Sequence, residues 1–103
     1  MAIQKLDDAN FNDFISKGEC LVDFYADWCG PCKMLGPIFE KASNEVKNVK
    51  FGKINVDGNQ DTASKFGVMS IPTVIFFKDG KQVERVTGVM GVEDIKKKIK
   101  DSF

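Results

Sequence analysis

The chain contains no histidine. Mechanisms that need an imidazole base are therefore excluded, and the usual nitrogen ligand of zinc is missing. Charge of one sign is missing as well, because fifteen Lys and Arg cancel fifteen Asp and Glu. That balance removes the electrostatic case for binding nucleic acid or an anionic membrane. No apolar run approaches membrane-spanning length. Cysteine is scarce: three residues are an awkward number for a structural disulfide framework. In a cytosolic chain, closely spaced cysteines are metal ligands or catalytic more often than structural. The segment Met1-Ala2-Ile3-Gln4-Lys5-Leu6-Asp7 lacks the apolar stretch and small-residue cleavage site of a secretory signal. Read as a complete product, the chain is expected in the cytoplasm. A mature form of an exported precursor would read the same.

What is present is a core. Apolar residues make up 43% of 103 positions and nine are phenylalanine, enough for a single domain over residues 1–103 and too little for two. No internal repeat, linker or low-complexity segment interrupts it, and a monomer is expected.

The chemistry gathers in Asp23-Phe24-Tyr25-Ala26-Asp27-Trp28-Cys29-Gly30-Pro31-Cys32-Lys33-Met34. Two cysteines two residues apart sit where an apolar strand gives way to a helical pattern. A sulfur at such a junction lies near backbone N–H groups that the first helical turn leaves unpaired. Those donors, the positive end of the helix dipole and the nearby Lys33 charge favour a thiolate. Cys29 is thereby the candidate nucleophile. Cys32, about one turn further on, is placed to attack a mixed disulfide formed at Cys29. The competing reading is half of a zinc site. Four ligands are needed, and the chain offers one further cysteine and no histidine, so no metal site is expected. A haem attachment site would need histidine after Cys32, where Lys33 stands.

The coarse pattern around this pair is an α/β domain. Ile3 and Leu6 give a weak first-strand signal. Asp7 or Asp8 is expected to cap a helix carrying Ala9, Phe11, Phe14 and Ile15, with Gly18 as its stop. Glu19 to Ala26 reads as a buried central strand, apolar on both parities except for Asp23. Leu35, Ile38, Phe39, Ala42 and Val46 repeat at helical spacing to about residue 47, with Pro37 expected to kink the helix. Val49 to Val56 returns to strand, so the strand–helix–strand unit implies parallel pairing. A loop at Asp57-Gly58-Asn59 precedes a short helix, Asp61 to Phe66, closed by Gly67. Ile71-Pro72 leads into a strand over Thr73 to Phe77, and Asp79-Gly80 marks a hairpin into Val83–Thr87. Val92, Ile95, Ile99 and Phe103 then line one stripe of a last, lysine-rich helix. The sum is a three-layer α/β/α domain with a central mixed sheet flanked by helices on both faces.

Trp28-Cys29-Gly30-Pro31-Cys32 after a central strand, and Ile71-Pro72-Thr73 before an antiparallel hairpin, resemble the thioredoxins over essentially the whole chain. The resemblance implies a thioredoxin fold and a protein-disulfide reductase working through a reversible Cys29–Cys32 couple. It implies no prosthetic cofactor, since the two thiols carry the electrons. A thioredoxin reductase would recycle the pair. Ribonucleotide reductase, peroxiredoxin and methionine sulfoxide reductase are the expected clients. Tyr25 stands where many bacterial thioredoxins carry a second tryptophan. Related oxidants hold a histidine between their cysteines, so Gly30-Pro31 points toward a reductant.

Asp23 is the most informative polar residue outside the pair. Burial in a central strand should raise its pKa and leave it able to exchange protons. By resemblance it serves Cys32 as base and acid through a water, with Lys53 as the modulating counter-charge. A partly solvated strand-end carboxylate with an ordinary ion pair is the bland alternative. By resemblance too, the Ile71–Pro72 bond is cis and the Ile71 backbone meets the substrate peptide; an edge-strand proline is the alternative. Trp28, Gly30, Pro31, Ile71, Pro72 and Gly88 together would form an uncharged rim for extended peptide. Gly88 reads equally as a strand terminator. Cys20, small and in an apolar strand, reads as inert core, with a regulatory thiol as the minority alternative. An isomerase or oxidant, or a binding subunit that uses the same groove without chemistry, are the other functional readings.

Overall fold

A computed structural model describes residues 3–103. Met1 and Ala2, the start of the segment read for an export signal, lie outside the described residues. One sheet holds strands β1 (Ile3–Leu6), β2 (Glu19–Tyr25), β3 (Lys50–Asn55), β4 (Thr73–Lys78) and β5 (Lys81–Thr87), in the spatial order β1-β3-β2-β4-β5. Helices α1 (Phe11–Ile15), α2 (Gly30–Glu45), α3 (Gln60–Lys65) and α4 (Val92–Ser102) complete it.

β2 is the middle strand, parallel to β3 and antiparallel to β4. Its two apolar parities serve two cores. Cys20, Val22 and Phe24 pack with Phe11, Phe14 and Phe77 on the α1 side. Leu21 packs with Leu35, Phe39, Val74, Phe76 and Ile95 on the side covered by α2 and α4. Helices therefore lie on both faces of a mixed sheet, as the alternation of elements predicts. α1 has only five residues, too few to be stable alone. It forms because Phe11, Phe14 and Ile15 are buried, and burying each such side chain is worth about 1.5–3 kcal/mol. The Phe11 ring meets Phe77 edge-on at 5.7 Å between centroids.

The entry to α1 differs from expectation. Asp7 and Asn10 close a turn on each other, the Asp7 N–H donating to Asn10 Oδ1 and the Asn10 N–H to Asp7 Oδ1, both at 2.8 Å. The helix starts only after that turn. Asp8 caps a different helix: its Oδ1 accepts from the Thr62 N–H at 3.0 Å and the Thr62 hydroxyl at 2.6 Å, in the first turn of α3. α2 runs from Gly30 through Pro37 to Glu45 as one helix. The segment expected as a plain loop begins with a 3-10 turn, Val56–Gly58.

Asp79 (φ 49°) and Gly80 (φ 88°) both have positive φ, the backbone of a two-residue hairpin turn. β5 starts at Lys81, earlier than the expected Val83. A bulge pairs Phe76 with Glu84 and Phe77 with Gln82, which leaves Val83 unpaired and 45% exposed. The local loss of alternation hid the strand's first residues. No helix among the described residues is long and apolar enough to cross a membrane.

Candidate functional site

Cys29 is the residue that caps α2. Its backbone is extended (φ −89°, ψ 114°), and its sulfur accepts the Cys32 N–H at 3.2 Å. Sulfur here takes the place of the oxygen in a serine or aspartate cap. Gly30 and Pro31 fill the opening turn, where the missing proline N–H would have had no partner in any case. Cys32 ends that turn, and the two cysteines are joined in a disulfide with Cα atoms 5.2 Å apart. Both are buried, resting on Ala26 with Tyr25, Val56 and Ile71 around them.

The segment before β4 closes over the pair. The Ile71 carbonyl oxygen lies 3.8 Å from Cys29 Sγ, and the Ile71–Pro72 bond is cis. The Thr73 hydroxyl donates to the Ser70 carbonyl at 2.6 Å and shapes this loop. The Gly88 N–H donates to the Pro72 carbonyl at 2.8 Å. Gly88 has φ 100°, a conformation that favours glycine. Cys29, Ile71, Pro72 and Gly88, far apart in sequence, are thus linked by direct contacts. Gly30 and Pro31 are exposed at the mouth of α2. Trp28 is 70% exposed, and its indole Nε1–H donates to Asp57 Oδ2 at 2.8 Å. Asp57 escaped sequence reasoning, because nothing local marks a bond across 29 positions.

Asp23 is 4% exposed in mid-sheet, and its Oδ1 has no hydrogen-bond partner among the described residues. Burial pushes its pKa up to about 7, against a smaller opposing pull from Lys53. It shares the parity of Leu21, so it lies on the sheet face covered by α2, the helix that carries Cys32. Lys53 stands across from it in the β2–β3 register. No direct ion pair joins the two among the described residues, and Lys53 Nζ sits 5.6 Å from the centre of the Tyr25 ring. Cys20 lies fully buried in the α1-side core, outside this group, as a free thiol. Among the described residues no cluster of three or more Cys, Asp or Glu side chains is placed to hold a metal ion. A cavity of about 340 Å³ lies between β5 and α4, and none of the site residues lines it.

The chain is similar to known proteins over most of its length. The Thioredoxin family model matches residues 2–101. Thioredoxin from Chlamydia caviae is 55% identical over 80 residues, 78% of each chain. Thioredoxin from Staphylococcus saprophyticus is 49% identical over 96 residues, 92% of each chain. Among solved structures, a mutant thioredoxin from Halobacterium salinarum superposes with a TM-score of 0.90 at 37% identity, covering 98% of this chain and 90% of its own. With the family matched almost end to end and a disulfide-capable pair at the head of α2, the chain belongs to the thioredoxin family and is a protein-disulfide oxidoreductase.

Proposed function

We propose that this oxidoreductase runs in the reducing direction, as a single domain over residues 1–103 acting as a monomer in the cytoplasm. The observation that carries the reading is the Cys29 sulfur, which accepts the Cys32 N–H at the mouth of a helix, beside the exposed Trp28, Gly30 and Pro31. A backbone donor in that position stabilises negative charge on sulfur and makes Cys29 the attacking thiolate of the reduced form. Its attack on a client disulfide breaks the client S–S bond, forms a mixed disulfide and releases one client thiolate, which takes a proton. Cys32 then attacks Cys29 Sγ, the second client thiolate leaves, and Cys29–Cys32 is oxidised as the client gains two electrons.

Asp23 is the proton-exchanging group for Cys32, acting through a water. Its support is a pKa near neutrality, so that both protonation states are populated in the cell. Lys53 tunes that carboxyl through space. Trp28, Gly30, Pro31, Ile71 and Gly88 form the client surface, with the Ile71 backbone facing the bound peptide and the buried Pro72 supporting it from beneath. An uncharged, partly exposed rim suits extended protein segments of varied sequence. A thioredoxin reductase restores the dithiol, and clients such as ribonucleotide reductase, peroxiredoxin and methionine sulfoxide reductase take its electrons. No cofactor beyond the two thiols takes part, and no nucleic acid or membrane is a partner.

The test is trapping. Cys32→Ser should accumulate mixed disulfides with clients in a lysate, and Cys29→Ser should trap none through position 29. A Cys32→Ser protein that captures nothing sinks the mechanism. The reduction potential tests the direction. A value below the glutathione poise of about −240 mV supports a reductant, and one near about −180 mV moves the protein to the isomerase class.

A further inference from the structure

β5 is an edge strand of the sheet, and two successive residues on it serve different layers. Glu84 serves the α4 side, its Oε2 3.1 Å from Lys98 Nζ. Arg85 serves the other. It stands across from Ile75, a member of the α1-side core, in the β4–β5 register. Its guanidinium forks over the end of α3. Nη1 donates to the Gly67 carbonyl at 3.3 Å, and Nη2 donates to the Phe66 carbonyl and, at 3.1 Å, to Gln82 Oε1. Those two carbonyls are the first beyond the helix. α3 has already closed itself: the N–H groups of Phe66, Gly67 and Val68 return to Thr62, Ser64 and Ala63, with Gly67 at φ 62° making the reversal. The Phe66 and Gly67 carbonyls must find their partners elsewhere, and Arg85 supplies both. The chain then runs on to the redox site, where the Ile71 carbonyl lies 3.8 Å from Cys29 Sγ. At that end the Thr73 hydroxyl holds the Ser70 carbonyl at 2.6 Å. Met69, between the two anchors, is 95% exposed, so its side chain adds little packing to hold the backbone.

We propose that Arg85 is a positioning residue, latching the α3 end of the loop 66–71 to the sheet edge so that the Ile71 backbone keeps its place against Cys29. This rests on the reading of the Ile71 backbone as a client contact. A planar fork on two successive carbonyls sets direction as well as distance, which a lysine ammonium cannot do. Arg85 touches neither sulfur, so its loss should leave thiol transfer within a bound complex intact. A loosened loop must be ordered when a client docks, and that penalty falls in KM rather than kcat.

The experiment compares the parent with Arg85→Met, which keeps an apolar stem and removes the fork, and with Arg85→Lys. Dithiothreitol-driven reduction of insulin gives KM and kcat, and amide nitrogen relaxation gives backbone order parameters. Arg85→Met should raise KM about three- to tenfold with kcat little changed. Order parameters at Val68, Ser70 and Ile71 should fall from about 0.85 toward about 0.6, while those of β4 hold. Arg85→Lys should restore part of both. An unchanged KM in Arg85→Met overturns the proposal, whether or not the loop loosens or the melting temperature falls. A raised KM with unchanged order parameters overturns it too, because Arg85 would then meet the client through its charge. The client reading is tested separately, in Cys32→Ser joined through Cys29 to a peptide with one cysteine. Exchange of the Ile71 amide should slow on joining. If it does not, the Ile71 backbone is no client contact, and the proposal falls with that reading.

Discussion

Asp23 on β2 stands directly across from Lys53 on β3, yet among the described residues the two make no direct ion pair and one oxygen of the buried carboxyl has no hydrogen-bond partner. Where a carboxylate and an ammonium are cross-strand neighbours, pairing would ordinarily hold the carboxyl ionised. Here burial wins over the distant charge, and the proton is retained to about pH 7.

The first consequence concerns stability. Asp23 has a folded pKa raised above its unfolded value of 3.8, so between those limits the native state holds a proton that the unfolded chain has released. The unfolded state binds fewer protons there, and stability falls as pH rises through the window. The penalty is small at pH 4 and reaches about 4 kcal/mol above pH 7. Urea denaturation of the oxidised protein should find Asp23→Asn more stable than the parent by about 2–4 kcal/mol at pH 8 and little different at pH 4. A difference independent of pH would remove the raised pKa from the account.

The same substitution separates the two thiol steps. Asparagine keeps the shape of Asp23 and cannot exchange the proton. Attack of Cys29 on a client should proceed at the parental rate, and release of the reduced client by Cys32 should slow about tenfold to a hundredfold. Rapid-quench experiments at pH 7 should therefore show the mixed disulfide building up in Asp23→Asn. Release at the parental rate would leave Asp23 as a buried residue without a catalytic task.

Both effects trace to a residue legible in the sequence, because one carboxylate in an otherwise apolar strand needs no long-range information to stand out. The redox pair was legible for the same reason: its spacing and its place before a helical period are local. The Asp79-Gly80 hairpin also announced itself locally. What the sequence hid depends on contacts between distant segments. Asp8 resembles a cap for the helix that follows it, and only the tertiary fold brings its carboxylate to Thr62. Asp57 resembles a loop residue until β3 sets its turn beside Trp28. The extra residue at Val83 breaks the alternation by which strands are recognised.

Gly52 was hidden in this way too, as an unremarked glycine inside β3. A Cβ built there would lie 2.8 Å from Leu6 Cδ1 and 3.0 Å from Phe14 Cε2, well inside ordinary carbon contact distance. Leu6 and Phe14 are both buried, so neither can swing into solvent. Alanine would gain about 0.5–1 kcal/mol of backbone entropy, and overpacking costs about 1–3 kcal/mol. The clash should win. Gly52→Ala is expected to lose about 1–2 kcal/mol in urea denaturation. A more stable variant would mean that β1 and α1 yield without cost.

Cys20 offers a prediction in which burial opposes reactivity. Its thiol is fully buried, with Sγ 3.5 Å from the Phe14 carbonyl oxygen. Burial pushes its pKa up, and the neighbouring Lys50 only partly counters that. The Lys50 ammonium is also occupied, donating to the Phe14 carbonyl at 2.6 Å. A thiol of this kind is both shielded and protonated, and the thiolate is the species that alkylates. Brief iodoacetamide treatment of the reduced native protein should label Cys29 and leave Cys20 unmodified, whereas in denaturant all three thiols should react. Peroxide treatment, followed by mass spectrometry, should likewise leave Cys20 a thiol while Cys29 and Cys32 form their disulfide. A Cys20 labelled or oxidised in the folded chain at a rate comparable with Cys29 would assign it the regulatory role instead, because such a rate requires an opening of the β2 end that brings Sγ to water.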